Sequence, residues 1–233
     1  MRGDTDRPVL DFEIIRRWPS LPAKRWATSH LRSLASDPHT AAIVGIGSAV
    51  RQVQHSGSDV DFLIVSDVED DPATSQPIDV DLRIFRRSQV DRNLRECDDL
   101  LGWAIRFGQQ IFERDQYWTN LVARWSSHLP FPSPRPSEIL ALRFERFAEQ
   151  MALAGDLDAA LEQVIGMLTH RSRATLIRAG IYPASRPELP AQLRAISEHQ
   201  LAEWLECSLR RRQTAPEILQ RLRQSSDAAQ AAR

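Results

Sequence analysis

The first half of the chain alternates short apolar runs with amphipathic segments. Three apolar runs bounded by turn residues predict buried strands, and they cover residues 41–46, 60–65 and 78–85. Apolar positions at helical spacing predict a helix over 22–36, and Ser88 is placed to cap a helix over 88–101. Residues 108–113 are a candidate edge strand. This order predicts an α+β domain with a short mixed sheet.

The second half changes to helical spacing after a proline-rich segment. Residues 129–136 carry four prolines in eight positions, which argues against a helix and predicts a linker. Helices are predicted beyond it over residues 137–154, 156–180, 191–207 and 215–224. The chain therefore divides into a first domain at 1–128, a linker at 129–136 and an all-α bundle at 137–233. The polar tail after about residue 224 is expected to be disordered.

Composition and charge narrow the class of protein. The 233 residues carry a net charge of −1 and are 42% hydrophobic, so no global field recruits nucleic acid or an anionic membrane. No apolar run approaches the roughly 20 residues of a membrane span. The start of the chain shows no targeting signal, and the two cysteines have no metal-ligand spacing. We expect a cytoplasmic protein with no membrane partner.

Two pairs of carboxylates interrupt otherwise apolar strands. One residue separates Asp59 from Asp61, and one separates Asp79 from Asp81, so each pair projects from one face of its strand. Burying such a pair is costly unless a cation lies between the carboxylates. If the two strands are neighbours, the four acids converge on one metal pair. Two metals about 3.5–4 Å apart would suit an in-line phosphoryl displacement.

Gly47 and Ser48 follow the first apolar run. A strand that ends in Gly-Ser, followed by a short helix through Val50 and Val53, places backbone N–H groups and a hydroxyl at a helix N-terminus. Such an end binds anions and would suit the outer phosphates of a nucleotide. Gly47 would let the backbone approach those phosphates closely.

These features combine in a recognisable segment. Residues 47–65 read Gly-Ser-Ala-Val-Arg-Gln-Val-Gln-His-Ser-Gly-Ser-Asp-Val-Asp-Phe-Leu-Ile-Val. The segment resembles the signature of the polymerase-β-like nucleotidyltransferase superfamily, and its spacing is similar to that of the minimal bacterial members and the antibiotic nucleotidyltransferases. Arg51 falls where many members have an arginine. Gln52 stands where a glycine often follows that arginine.

The resemblance implies roles for four residues. Asp59 and Asp61 would bind two Mg²⁺ ions, while Ser48 and the Gly47 backbone would hold the outer phosphates of ATP or another nucleoside triphosphate. The implied reaction moves a nucleoside monophosphate, with AMP expected, to a hydroxyl acceptor and releases pyrophosphate. Such a site works through positioning and charge neutralisation.

The resemblance also implies a third metal-binding acid on a later strand, which can accept the proton of the acceptor hydroxyl. Asp79 and Asp81 compete for this role. Family strands often read acid, hydrophobic, basic, and Asp81-Leu-Arg fits that order better. We therefore assign the third catalytic carboxylate to Asp81.

The second half is similar to the helical bundles, related to HEPN domains, that accompany these transferases. Arg171, Arg173 and Arg178 predict a solvated face of an amphipathic helix, with phosphate binding as the alternative. The acceptor stays open among a small molecule, a protein and RNA. Rival functions are an antitoxin-like transferase that modifies or binds a partner toxin, a catalytically silent binding module, and a HEPN-type ribonuclease based on Arg194 and His199. A homodimer is a further candidate assembly.

Overall fold

The computed structural model describes residues 8–53, 58–68, 76–211 and 214–220. The chain divides into two compact units, Met1–Pro130 and Phe131–Arg233, and this boundary falls inside the proline-rich segment. Among the described residues, no helix combines the length and apolar character that a bilayer crossing requires. The tail predicted to be disordered after about residue 224 lies outside the described residues.

The first unit contains a mixed four-stranded sheet. Its strands are β1 (Thr40–Ile46), β2 (Val60–Ser66), β3 (Val80–Arg86) and β4 (Gln109–Glu113). They lie in the order β3-β2-β1-β4. β1 is antiparallel to both β2 and β4, whereas β2 and β3 are parallel. The predicted fold class is confirmed. The second and third strands are neighbours, which is the condition on which the carboxylates were expected to converge.

The two central strands of the sheet, β1 and β2, are the most buried. Every residue of β1 is buried, and β2 is buried except at Asp61. β3 lies at an edge and carries Asp81, Arg83 and Arg86 among its apolar residues, and such charges protect an edge from pairing with another chain. β3 begins at Val80 rather than at residue 78 as predicted, so Asp79 lies just before the strand.

Helices pack around the sheet of the first unit. They are α1 (Leu21–Ser36), α2 (Gly47–Val50), α3 (Arg87–Arg95), α4 (Asp99–Phe107) and α5 (Tyr117–Trp125). Val60 and Phe62 are fully buried in a core cluster with Ala27 and Leu31 of α1. Since side chains alternate along a strand, Asp61 projects from the opposite face of β2. That face bears the candidate site.

The single helix predicted over residues 88–101 is two helices. The backbone reverses at Cys97, which has a φ of 61°. Asp98 then caps α4, because its carboxylate accepts a hydrogen bond from the Leu101 N–H at 2.8 Å. The prediction failed because the break occurs at a non-glycine residue with left-handed backbone, for which the sequence carries no glycine or proline signal.

Arg114 follows β4 directly and links the sheet to the end of α1 through hydrogen bonds. Its Nη2 donates to the carbonyls of Ala35 and Asp37 at 3.0 and 3.1 Å, and its Nε donates to the carbonyl of Thr40 at 3.2 Å. Ala35 lies in the last turn of α1, where carbonyls lack partners within the helix. The guanidinium therefore fixes the turn that leads into β1.

Helices are the only regular secondary structure among the described residues of the second unit. Its helices are α6 (Arg135–Leu153), α7 (Leu157–Arg178), α8 (Leu189–Ala195) and α9 (His199–Leu209), with a 3-10 turn at Arg186–Glu188 and helical residues at 215–220. The helix predicted to start at Asp156 is confirmed, since Asp156 accepts a bond from the Ala159 N–H at 3.0 Å. The predicted helix over 191–207 is two helices, separated at Ser197 with a φ of 64°.

The proline-rich segment contains a helix start. α6 begins at Arg135, so the prediction that residues 129–136 exclude helix is wrong at its end. Pro136 lies in the first turn of α6, where the missing N–H has no intrahelical partner to lose. α6 then packs closely on α7 at Gly166, because a Cβ there would lie 2.7 Å from the Phe144 ring.

Candidate active site

Asp61 and Asp81 lie side by side on parallel strands. They are direct register partners in the pairing of β2 with β3. Neighbouring strands are about 4.8 Å apart, and partners in register project from the same face of a sheet. Both side chains are half-buried. The sheet thus brings together two of the three acids that the sequence predicted for the catalytic site.

Gly47 lies against the Asp61 carboxylate. Asp61 pairs with Ile46 across β1 and β2, which places the next residue, Gly47, beside it. Gly47 has a φ of +76°, and a Cβ on it would lie 2.2 Å from Asp61 Oδ2. Any other residue at this position would meet both a strained backbone and a collision with the carboxylate. In the structure, the group that lies close to Gly47 is the Asp61 carboxylate. From the sequence, we expected that close contact to be with nucleotide phosphates.

Ser48 is the second residue of α2 and is half-buried. α2 is only four residues long and ends at Val50, so the predicted short helix through Val53 is a single turn. The backbone carbonyl of Ser48 accepts a bond from the Val53 N–H at 3.2 Å, which closes the turn. A single turn has a small dipole, so an anion here would depend on direct hydrogen bonds from Ser48 and the backbone.

Arg83 holds the Asp81 carboxylate. Its Nη2 and Nε lie 2.9 and 3.1 Å from Asp81 Oδ2. The two residues are two apart on β3 and therefore project from the same face. The side chains are 59% and 34% exposed, so the ion pair is largely solvated and contributes at most about 1 kcal/mol to stability. A metal ion could displace Arg83 at little cost.

Asp59 and Asp79 precede the strands. Asp59 is exposed and Asp79 is half-buried. The backbone carbonyl of Asp79 accepts a bond from the Val60 N–H at 3.0 Å, which continues the register of β2 and β3 towards these residues. This register places Asp81, rather than Asp79, opposite Asp61.

The carboxylates as placed do not form a complete metal cage. Over residues 8–53, 58–68, 76–211 and 214–220, no group of three or more His, Cys, Asp or Glu side chains could hold a metal ion. Mg²⁺ commonly uses only one or two carboxylates and completes its shell with substrate phosphates and water. The paired carboxylates of Asp61 and Asp81 fit that mode of binding.

Arg51 and Gln52 follow the single turn of α2. The Arg51 guanidinium lies 5.1 Å from the centroid of the Phe107 ring, a cation–π contact between the end of α2 and the end of α4. Gln52 has a φ of 59°. This is the left-handed region of the backbone, which favours glycine. His55 lies outside the described residues.

A polar cluster that the sequence did not predict joins α3 to α5. Trp125 Nε1 donates to Asp91 Oδ1 at 2.8 Å, and Arg124 lies 3.3 Å from the other carboxylate oxygen. The Arg87 guanidinium stacks 4.8 Å from the centroid of the Tyr117 ring. Burial raises the pKa of Tyr117 to about 12, an effect that the positive charge of Arg87 partly offsets. We assign this cluster a structural role.

Arginines of the second unit are paired with carboxylates. Arg171 bonds Glu145 at 2.9 Å and Arg178 bonds Glu138 at 2.5 Å, so two of the three arginines predicted for a solvated face are tied to α6.

The two residues that suggested a ribonuclease lie on different helices. Arg194 belongs to α8 and pairs with Glu206, while His199 is the exposed first residue of α9. This arrangement gives the ribonuclease alternative no support.

Comparisons with solved structures include a distant structural likeness. The fold is similar to the crystal structure of a nucleotidyltransferase-like protein from Exiguobacterium sibiricum, with 18% identity and a TM-score of 0.35, over 84% of this chain and 74% of that one. No family model matches the chain, and no curated protein matches it. At this identity and TM-score the likeness supports no conclusion about reaction or substrate.

Proposed function

We propose that the chain is a nucleotidyltransferase that requires a divalent metal. It would transfer a nucleoside monophosphate from a nucleoside triphosphate, with ATP the expected donor, to a hydroxyl acceptor. The observation that carries this proposal is the position of the Asp61 carboxylate. Asp61 is in register with Asp81, and its carboxylate lies against Gly47, where a Cβ would collide with it. Such an arrangement fixes two acids at neighbouring positions of two parallel strands.

The metal would be held by carboxylates of the two parallel strands. Asp61 and Asp81 would provide the inner ligands, and Asp59, which is exposed two residues before Asp61, would add a third once the triphosphate is bound. When bound, Mg²⁺ neutralises charge on the triphosphate and on the departing pyrophosphate. This assignment of Asp59, Asp61 and Asp81 is the same as the one made from the sequence.

The protein's own groups would position the reactants. The Ser48 hydroxyl and the backbone N–H groups of α2 follow Gly47, which lies against the Asp61 carboxylate, and would hold the outer phosphates. Asp81 would accept the proton of the acceptor hydroxyl. The oxygen of that hydroxyl would form a bond to the α-phosphorus while the bond from the α-phosphorus to pyrophosphate breaks. Arg83 must leave Asp81 Oδ2 before that step. The freed guanidinium could then bind a phosphate.

This chemistry is the same whether the hydroxyl belongs to a toxin, another protein, RNA or a small molecule. An antitoxin-like transferase is therefore a special case of the proposal, in which the hydroxyl belongs to a partner protein. A silent binding module would keep nucleotide binding and lose transfer. A direct measurement of nucleotidyl transfer distinguishes the silent binding module from the transferase.

The test uses labelled nucleotides. The full chain is incubated with Mg²⁺ and cell extract, once with each α-labelled nucleoside triphosphate and once with the γ-labelled form. We expect the α-label to become attached to an acceptor and the γ-label to appear in pyrophosphate. The isosteric variant Asp61→Asn should abolish transfer. The proposal fails if no triphosphate donates its α-label, or if Asp61→Asn transfers label as the parent chain does.

A further inference from the structure

The helical unit has a groove of about 510 Å³ formed by α6, α7 and the beginning of α9. Its volume falls in the range of sites for small molecules. Ala141 of α6 and Ala174 of α7 leave space between the helices, and Leu201 and Trp204 of α9 form an apolar wall. The groove lies within one unit, and none of the residues proposed for nucleotidyl transfer lines it.

The two arginines of the groove are already neutralised. Arg178 bonds Glu138, which also lines the groove, and Arg171 bonds Glu145. The Arg171 pair is the less exposed of the two, with side chains 31% and 27% exposed. An anionic ligand would have to break these ion pairs, so the arginines do not favour one.

A carboxylate in the groove has no such partner. Glu198 is exposed at the start of α9, and its side chain does not cap that helix. Across the part of the chain that the structure describes, the Glu198 carboxylate forms neither an ion pair nor a hydrogen bond. When Glu145, the partner of Arg171 outside the lining, is counted, two arginines face three glutamates, and Glu198 is the negative charge left without a pair among these residues.

Thr175 offers a further open polar group. The hydroxyl of Ser172, on the same helix, bonds back to the carbonyl of Leu168 at 2.7 Å. The Thr175 hydroxyl makes no hydrogen bond with any residue that the structure describes, and it lies in the groove wall. The groove therefore presents an acceptor carboxylate and a hydroxyl beside an apolar surface.

We propose that this groove binds a small organic amine. The ammonium group would pair with Glu198, the apolar body would pack on Leu201 and Trp204, and a polar substituent would bond Thr175. This inference goes beyond the proposed nucleotidyl transfer and does not depend on it. An exposed carboxylate paired with an ammonium group favours the amine over a neutral molecule of the same shape by about twofold to fivefold.

The test compares three probes with one skeleton: 2-phenylethylamine, 2-phenylethanol and phenylacetate. Each is titrated into the ¹⁵N-labelled full chain, and the amide shifts of α7 and α9 are followed. We expect the amine to bind most tightly and phenylacetate least. Glu198→Gln should bring the amine to the affinity of the alcohol, whereas Glu203→Gln, an exposed glutamate of the same helix outside the groove, should leave it unchanged.

Three outcomes would overturn the inference. They are equal affinity for the three probes, tighter binding of phenylacetate, and an amine preference that survives Glu198→Gln. Because the readout is binding to the helical unit, failure here leaves the nucleotidyltransferase proposal unaffected, and failure of nucleotidyl transfer leaves this inference unaffected.

Discussion

Replacing Gly47 by alanine separates the role of this residue in the site from its role in stability. The left-handed backbone at Gly47 costs an L-residue about 1–2 kcal/mol. The new Cβ would also lie 2.2 Å from Asp61 Oδ2, about 1 Å or more inside van der Waals contact. The atom in the way is the end of a side chain, so the carboxylate can rotate and the backbone need not move.

Gly180→Ala is the matched control. Gly180 has a φ of +75°, and a Cβ there meets nothing within 4 Å. The two variants therefore share the backbone cost and differ only in the collision with Asp61. Both should lose about 1–2 kcal/mol of unfolding free energy in their own unit, measured by thermal and denaturant unfolding.

Only Gly47→Ala should damage the site. A misplacement of about 1 Å in a reacting geometry costs roughly 100-fold in rate, and a disturbed metal ligand costs about 10–100-fold in metal affinity. Calorimetry with Mg²⁺ and a non-hydrolysable ATP analogue measures the affinity, and label transfer measures the rate. If Gly47→Ala binds the metal and nucleotide as well as Gly180→Ala does, the contact between Gly47 and Asp61 does not shape a metal site.

Three further predictions concern Arg83, Arg114 and Tyr117. Arg83→Gln removes the ion-pair partner of Asp81 and should raise divalent-metal affinity, measured by calorimetry, by about twofold to fivefold. The control Arg95→Gln removes the same charge elsewhere and should leave the metal affinity unchanged. Arg114→Ala leaves three backbone carbonyls without their cationic donor and should lower the unfolding free energy of the first unit by about 2–3 kcal/mol; a denaturant midpoint equal to that of the parent chain would refute this. Because the pKa of Tyr117 is raised to about 12 from 10, its contribution to stability is full below pH 10 and is lost as the pH rises towards 12. Absorbance titration should therefore show a phenol that ionises near pH 12 and is missing from Tyr117→Phe.

The sequence predicted the strands because their signal is local. The run that forms β1 is apolar throughout and is buried throughout, and Asp61 is the only residue of β2 that is not buried. Alternation along each strand predicts that Asp61 projects from one face of β2 and Asp81 from one face of β3. Because β2 and β3 are neighbours in register, the two residues lie side by side. These steps need only the period of a strand and a parallel pairing.

The sequence could not predict features that depend on backbone reversals without glycine or on strand register. Cys97 and Ser197 adopt positive φ values and divide two predicted helices, yet neither residue type marks a helix end. The contact of Gly47 with Asp61 depends on the register of β1 with β2, which no local pattern gives. By contrast, the ion pair of Arg83 with Asp81 follows from their spacing of two on one strand, and was available from alternation alone.

The site itself is tested most directly by a crystal structure of the chain with Mn²⁺ and a non-hydrolysable ATP analogue, recorded with anomalous scattering. We predict manganese bound by Asp61 and Asp81, the triphosphate beside Ser48, and Arg83 displaced from Asp81. Manganese bound elsewhere, or a nucleotide bound while Arg83 remains on Asp81, would contradict the proposed active site.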